Sequence, residues 1–596
     1  PYTTLFRSDL GEHHDDVTML YFCQVSYSNF SVAVSEDGES WSDDYIADMA
    51  EGECFQWKYL TPSYMGKDKY GNDQRFFYSQ PIKFSARYVR ITSQQIGLKM
   101  NEIIFQDANG DRIPATVIAQ LNVMEESTLY SDANNIFDEQ DTLEGLPSWW
   151  NSTYFDEIYH ARTAYEHLHG TAPYETSHPP LGKVIMSLGI AIFGMVPFGW
   201  RVMGALAGIL MLPAMYLLGK QLTKKSSFAF AAALMLALDC QHFTQTRIAT
   251  IDSYPVLFIL FSWLFMLRFM QRDIVRLPVK KLLPDLALSG LFMGLGIASK
   301  WIGVYSGAGL AVAFFWTIFR HMRMAATSAH LLKTDKSLSD EDRKILTLRD
   351  QTTMKRVLVI CLWCLLFFVA IPLAIYLLAY IPYFAYAHFD NLKDYLTAVW
   401  NAQLSMFSYH SKPGLGMDHP FYSPWYEWIF NQRPMYYASP TYVNTPGWSY
   451  AIWCFGNPAI WSAALVGFAY TVFMWAKRHR YTLRKDGETL HWTAADWDVT
   501  MPFLLLSALS QFLPWVLVPR GTYIYHYFAT TPFLMLSITV LFRDITRRFP
   551  KTGKWLLGIF LGVCLVMFVA YFPYASGTLT PTWWLDFMEQ FLRIYY

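Results

Sequence analysis

The chain has 596 residues, of which 53% are hydrophobic, 17% aromatic and only 16% charged, against roughly 25% charged in a soluble domain. That balance excludes an ordinary soluble globular protein and reads as an integral membrane protein. A formal net charge of -1 says little by itself and gives no reason to expect a nucleic-acid partner, but Lys and Arg cluster in short stretches between apolar runs, where they set topology.

The chain begins without an initiator Met or a signal segment. Pro1-Tyr-Thr-Thr-Leu-Phe-Arg-Ser8 resembles the translation of a common sequencing adapter, so residues 1–8 are set aside from the fold and the true N-terminus is expected upstream. From about residue 17 to 115, short alternating segments separated by Gly, Asp and Asn predict an antiparallel β-sandwich, with strands at Phe30–Ser35, Ala86–Thr92 and Glu102–Gln106 and a turn at Asp37-Gly38. The runs Val32–Trp41, Ala86–Thr92 and Asn101–Phe105 resemble the discoidin (coagulation factor 5/8 type C) family. For a domain at 9–120 the resemblance implies a jelly-roll-like fold that holds a glycan; a spacer or docking module is the alternative. Cys23 and Cys54 pair only if this part faces an oxidising side.

Residues 121–199 are expected to form an outer-face loop with juxtamembrane helices. Within Tyr154-Phe-Asp-Glu-Ile-Tyr-His160, Asp156 and Glu157 are neighbours in a helix-like stretch and therefore lie on different faces. One can face a cavity while the other braces it. An ionised Asp beside an acceptor hydroxyl suits general-base work, and a solvated acidic pair at a helix start is the alternative. In His178-Pro-Pro-Leu-Gly-Lys183 the prolines pre-set the backbone. Lys183 is read as snorkelling to the interface or meeting a phosphate, and the motif otherwise as a simple helix start. The apolar stretch Val184–Val196 is too short to cross and is assigned as an interfacial or re-entrant helix.

Apolar windows predict ten spans, near 200–219, 226–243, 252–270, 283–299, 301–319, 356–380, 459–476, 499–518, 525–543 and 555–573. They make a bundle over 200–380 and C-terminal helices over 459–573, separated by an outer loop at 381–458 and followed by an outer tail at 574–596. The stretches Lys220–Lys225, Arg272–Lys281, Arg320–Arg356, Lys477–Lys485 and Arg543–Lys554 all fall on one side, which is then cytoplasmic. The β-sandwich and the acidic pair fall outside, which requires an eleventh span upstream. Cys361-Leu-Trp-Cys364 lies inside a predicted span and is assigned no redox role.

Several cations fall on the outer side, against the local charge bias. Arg201 begins the first full span and Lys300 sits in Ser299-Lys-Trp-Ile-Gly303, while Arg247 and Asp252 lie in Gln245–Ser253, where a structural Arg–Asp pair is the sober alternative. In Pro519–Phe528, Arg520 and His526 can clamp a phosphate, with Tyr525 and Tyr527 lining a path for lipid or sugar.

Taken in order, Asp156-Glu157, His178–Lys183, Arg247–Ser253, Ser299–Gly303, Phe455-Gly-Asn457-Pro-Ala-Ile-Trp461 and Arg520–Tyr527 resemble the protein O-mannosyltransferase family of GT-C glycosyltransferases. Eukaryotic members carry a β-trefoil that the loop 385–457 is too short to hold, so the chain looks like a bacterial member. The resemblance implies a polytopic α-helical GT-C fold in the plasma membrane with its site on the extracellular face. It also implies inverting transfer of mannose from polyprenyl phosphate mannose to Ser or Thr of exported proteins. Asp156 would be the base, Glu157 would help place the acceptor, and Arg201, Lys300 and Arg520, with His526, Lys183 and His178, would meet the donor phosphate and sugar. Arg247, Asp252 and Asn457 would support them. Lys and Arg supply the charge, so neither metal nor other cofactor is required. Expected partners are the lipid-linked donor, an exported Ser/Thr-rich protein, the membrane, a glycan at the β-sandwich and a second copy in a dimer. A transferase acting on a lipid or cell-wall polymer is the competing enzyme reading. A transporter is disfavoured because the ionisable residues gather at one face.

Overall fold

The structure, a computed structural model, describes residues 4–23, 30–47, 55–67, 73–78, 80–93, 100–121, 133–143, 145–440, 445–477, 483–486, 489–492 and 498–592. Two compact units are formed. One comprises 1–162, 193–199 and 438–449, and the other 163–192, 200–437 and 450–596.

Among its described residues up to 121, the first unit holds ten strands: β1 (Thr4–Cys23), β2 (Phe30–Ser35), β3 (Tyr45–Ala47), β4 (Trp57–Tyr59), β5 (Ser63–Lys67), β6 (Asp73–Phe77), β7 (Phe84–Ser93), β8 (Met100–Gln106), β9 (Arg112–Ile113) and β10 (Thr116–Leu121). β1 serves two ladders. Its first half runs antiparallel to β7 and β10, and its second half to β8 and β4. Register shifts between Asp9 and Val17 separate the halves, and Gly11 and Asp16 take positive φ there, as a bulged strand changing ladders requires. Val17, Met19, Val32, Ile91 and Phe105 meet in the core. The setting aside of residues 1–8 is corrected for 4–8. Leu5 to Asp9 pair on both sides and Phe6 is buried in the same core, because an apolar-alternating end completes the ladder. The pairing of Cys23 with Cys54 lies outside the described residues, as Cys54 is not among them.

Helices follow: α1 (Glu157–Leu168), α2 (Leu181–Phe193), α3 (Pro197–Thr223), α4 (Ser226–Ala237), α5 (Cys240–Arg247), α6 (Ser253–Met270), α7 (Leu283–Ser299), α8 (Ile302–Thr334), α9 (Asp340–Leu365), α10 (Ile371–Tyr383), α11 (Leu392–Ser411), α12 (Trp425–Trp428), α13 (Pro458–Lys477), α14 (Thr500–Phe512), α15 (Thr531–Arg548), α16 (Pro550–Ser576) and α17 (Thr582–Leu592). Among the described residues, seven segments are long and apolar enough to cross a membrane: α3, α6, α8, the rod from Asp340 to Tyr383, α13, Thr500–Leu517 and α16.

By length and composition that is three fewer than the ten expected, and the other three windows hold shorter or interrupted helices. The window 226–243 is broken where Asp239 caps α5 with a bond from the His242 N–H. α7 is 17 residues long. The window at 525–543 opens as a 3-10 turn, Ile524–Ala529, and α15 ends in Arg543, Asp544, Arg547 and Arg548. Nor is 320–356 a loop. α8 and α9 run through it except at residues 335–339, and Arg349 is held by Asp273 at 2.6 Å.

α7 packs against a π turn, Leu366–Ala370, that joins α9 to α10. The contact depends on Gly290 and Gly294, four apart, a small-residue spacing that lets helices in a membrane approach closely. A Cβ at Gly290 would lie 2.1 Å from the Phe367 carbonyl oxygen, and one at Gly294 would lie 2.8 Å from Pro372 Cα. Gly290→Val is therefore expected to cost about 1–3 kcal/mol by overpacking, read as a lower melting temperature of the purified protein in detergent.

Candidate active site

In the first unit the acidic pair ends a pinned segment. Thr153 N–H donates to the Phe55 carbonyl at 3.0 Å, and Trp57 N–H donates to Ser152 Oγ at 3.0 Å. The chain then turns through Phe155, whose φ of 50° is left-handed and strained for an aromatic residue, and α1 begins. Glu157 is fully buried and its carboxylate accepts from the Tyr154 N–H at 3.2 Å, which braces the turn. Asp156, beside it, is half-buried. These two residues belong to a different unit from the cations.

In the second unit the loop between α1 and α2 folds back onto α1. Tyr174 N–H donates to Glu166 at 2.7 Å and Glu175 N–H donates to Thr163 Oγ1 at 3.0 Å. This fixes Glu175, which organises the motif behind it. Its carboxylate accepts from Ser177 N–H at 2.7 Å and from His178 Nδ1 at 3.1 Å, and it forms a short ion pair with Lys183. Lys183 also donates to the Glu175 carbonyl at 2.9 Å and is fully buried. The expectation that Lys183 snorkels is thus corrected, because its ammonium is drawn inward by a carboxylate.

Lys300 lies at the break between α7 and α8 in extended conformation, so its side chain leaves both helices. It meets Asp252 at 2.7 Å, both groups about nine-tenths buried. The Arg247–Asp252 alternative is corrected in the same way: Asp252 pairs with Lys300, and the Arg247 guanidinium lies 5.3 Å from the Phe243 ring centroid. Tyr525 is 5.9 Å from the Lys300 ammonium. His526 sits in an aromatic box, 4.3 Å from Trp515 and 4.5 Å from Tyr525 between ring centroids, and its Nδ1 accepts from Tyr523 N–H at 3.0 Å.

Arg520 is carried by two loops that pair: Gly414 N–H donates to the Pro519 carbonyl at 3.1 Å and Gly521 N–H to the Leu415 carbonyl at 2.7 Å. Gly521 is required, since a Cβ there would lie 2.4 Å from the Gly416 carbonyl oxygen. Arg520 is half-buried and, among the described residues, has no carboxylate partner; its guanidinium donates to the Gly521 carbonyl at 3.3 Å.

His410, at the end of α11, was not singled out from the sequence. Its Nε2 is 2.7 Å from the Ser177 carbonyl oxygen and its ring is 5.2 Å from that of His178. Burial, then the charges of His178, Arg520 and Lys300, hold the His410 imidazole down at about 4. Burial likewise lowers His178, with Glu175 acting the other way and Lys300 and Lys183 adding to burial. His178, His410, Lys300 and Arg520 therefore feel one another across one site, together with His526. The Arg201 guanidinium lies 5.7 Å from the Trp200 ring centroid on α3. Asn457 is buried, bonding the Leu238 and Cys564 carbonyls while its own N–H donates to Asp239. Glu175, two residues before the Ser-His-Pro-Pro run, had a signal in its nearness to the motif; His410 had none, because only folding brings it there.

What the fold and this site define is a polytopic membrane protein with paired internal charges beside a cationic centre. Residues 192–392 match the family described as Dolichyl-phosphate-mannose-protein mannosyltransferase, and residues 395–588 match the C-terminal four TMM region of protein-O-mannosyltransferase. The chain belongs to the protein O-mannosyltransferase family. It is 25% identical to the Polyprenol-phosphate-mannose--protein mannosyltransferase of Mycolicibacterium smegmatis strain MKD8 over 67% of this chain and 78% of that one. With the enzyme of the same name from Mycobacterium tuberculosis it shares 25% identity over 70% and 80%. The fold is GT-C: the S. cerevisiae protein O-mannosyltransferase Pmt1-Pmt2 complex bound to the sugar donor superposes with a TM-score of 0.58 at 12% identity, over 74% of this chain and 89% of that one.

Glu175→Gln is expected to strand Lys183 and cost about 3–5 kcal/mol, and Glu175→Gln with Lys183→Met to recover much of it, both read from thermal unfolding in detergent. Acidification gives a second test. A histidine in the unfolded chain titrates near 6.5, so as pH falls from about 6.5 through about 4 the unfolded chain takes up a proton that folded His410 refuses. Stability is lost in that window, and His410→Gln should flatten the loss in melting curves.

Proposed function

We propose that this protein moves mannose from polyprenyl phosphate mannose to Ser or Thr hydroxyls of exported proteins, with inversion at the anomeric carbon. The observation that carries the reading, within a chain of this family, is Arg520: a half-buried cation with no carboxylate partner among the described residues, acting on the same histidines as Lys300. A developing phosphate dianion needs a fixed positive charge that is not already spent. Lys183, paired with Glu175, is spent. Lys300 shares its charge with Asp252 and adds to Arg520, and Arg201 completes the set.

In this reading Asp156 takes the proton from the acceptor hydroxyl as that oxygen attacks the anomeric carbon. The bond from that carbon to the phosphate oxygen breaks on the opposite face, and the electron pair leaves with the polyprenyl phosphate. Glu157 holds the turn that presents Asp156. His178 and His410, kept neutral by burial, add polarity without competing for the phosphate. The same proposal puts the site on the extracellular face of the plasma membrane of a bacterium, gives the β domain a discoidin-like glycan-binding role, and includes a dimer.

The test is transfer of radiolabelled mannose from polyprenyl phosphate mannose to a Ser/Thr peptide in membranes. Asp156→Asn should lower the rate by about 10²–10⁴ and Arg520→Met should lower kcat by about 10²–10³. Undiminished transfer by Asp156→Asn would remove that residue from the chemistry.

A further inference from the structure

α11 has two apolar faces and, among the described residues, only one of them is covered by protein. Val399 and Met406 pack onto Tyr380 and Tyr383 of α10, with Tyr395 and Ala402 beside them. Tyr376 donates to Gln403 at 2.5 Å and Tyr395 to the Leu377 carbonyl at 2.5 Å, so the helix is bolted to the end of the rod 340–383. The adjoining face carries Leu392, Leu396, Trp400, Leu404 and Phe407, which are 70%, 39%, 62%, 51% and 63% exposed. Their spacing of four, four, four and three makes a single stripe. Asp394, Thr397, Asn401, Ser405 and Ser408, all exposed, make a separate polar stripe.

We propose that α11 lies in the plane of the membrane interface and that phospholipid of the bilayer leaflet beside the site covers the Leu392 to Phe407 stripe. Continuity argues for lipid. α10, onto which α11 packs, exposes Leu373, Leu378 and Ile381 by 56%, 62% and 56%, and it belongs to the most apolar of the spanning segments, with mean hydropathy 2.9. The exposed stripe of α11 therefore extends the exposed apolar surface of a spanning segment. A polar face opposite a large apolar one is how an in-plane helix partitions, and Trp400 and Lys393 are the residue types that anchor at headgroup depth. The consequence reaches the site. Trp301, next to Lys300, donates to Tyr376 at 3.1 Å, and His410 on the last turn of α11 touches Ser177, so the depth of α11 in the leaflet sets the seating of both.

This inference stands on the spanning fold and not on the transfer reaction. Its test places p-benzoylphenylalanine at Leu396, Leu404, Asn401 or Ser405 of the full chain, reconstituted in vesicles of radiolabelled phosphatidylcholine and phosphatidylglycerol without donor. After irradiation, lipid label should appear on the chain several-fold more at 396 and 404 than at 401 and 405. Equal labelling at all four positions, no labelling at 396 and 404, or a cross-linked second chain at those two in place of lipid would each overturn it. Variants are compared only where size-exclusion elution matches that of the unsubstituted protein, and the two positions on each stripe keep the comparison open if one fails to fold.

Discussion

A buried ammonium needs a carboxylate, and in the membrane-spanning unit that constraint decides where cations can stand. Glu175 claims Lys183 and Asp252 claims Lys300. Left unpaired, either lysine would cost several kcal/mol at this depth. Both pairs also tie elements together: Glu175 ties the loop after α1 to α2 across 8 residues, and Asp252 ties the start of α6 to the α7–α8 break across 48. Arg520 stands outside this scheme: among the described residues it has no carboxylate partner, and its guanidinium donates to the Gly521 carbonyl.

The histidines of the site follow from the same economy of charge. With Lys300, Arg520 and Lys183 close by, a second layer of cations would be repelled, and burial completes what repulsion begins, so His178 and His410 are neutral near pH 7. Polar atoms that remain are satisfied by backbone: His410 by the Ser177 carbonyl and His526 by the Tyr523 N–H. Glycine lets the loops carrying Arg520 and Gly416 approach each other, since a Cβ at Gly521 would lie 2.4 Å from the Gly416 carbonyl oxygen.

The β unit has a structural task of its own. β4 and the residue pair before it hold Ser152 and Thr153, and the strained turn at Phe155 follows directly, so the strand edge defines the conformation from which Asp156 projects. The β unit thus holds the approach to the acidic turn through the Phe55–Thr153 and Trp57–Ser152 bonds.

Local pattern was enough to place the strands at 30–35, 86–92 and 102–106, the apolar windows and the chemical blocks, because alternation, span length and a Pro-Pro turn are written in contiguous residues; β1, which serves two ladders, was missed at its start. Span number was not, since a capping Asp239, a 3-10 opening before α15 and the charged end of α15 interrupt windows that composition alone averages over. Residue type marked Lys183, Lys300 and Arg520 as equivalent outward cations. Only tertiary structure distinguished them, because the partner of a charge is chosen by distance in space, and Glu175, Asp252 and the loop at 414–417 arrive from 8, 48 and more than a hundred residues away. His410 and the exposed stripe of α11 belong to the same class of fact: what covers or charges a side chain is settled by its neighbours after folding, not by its neighbours in the chain.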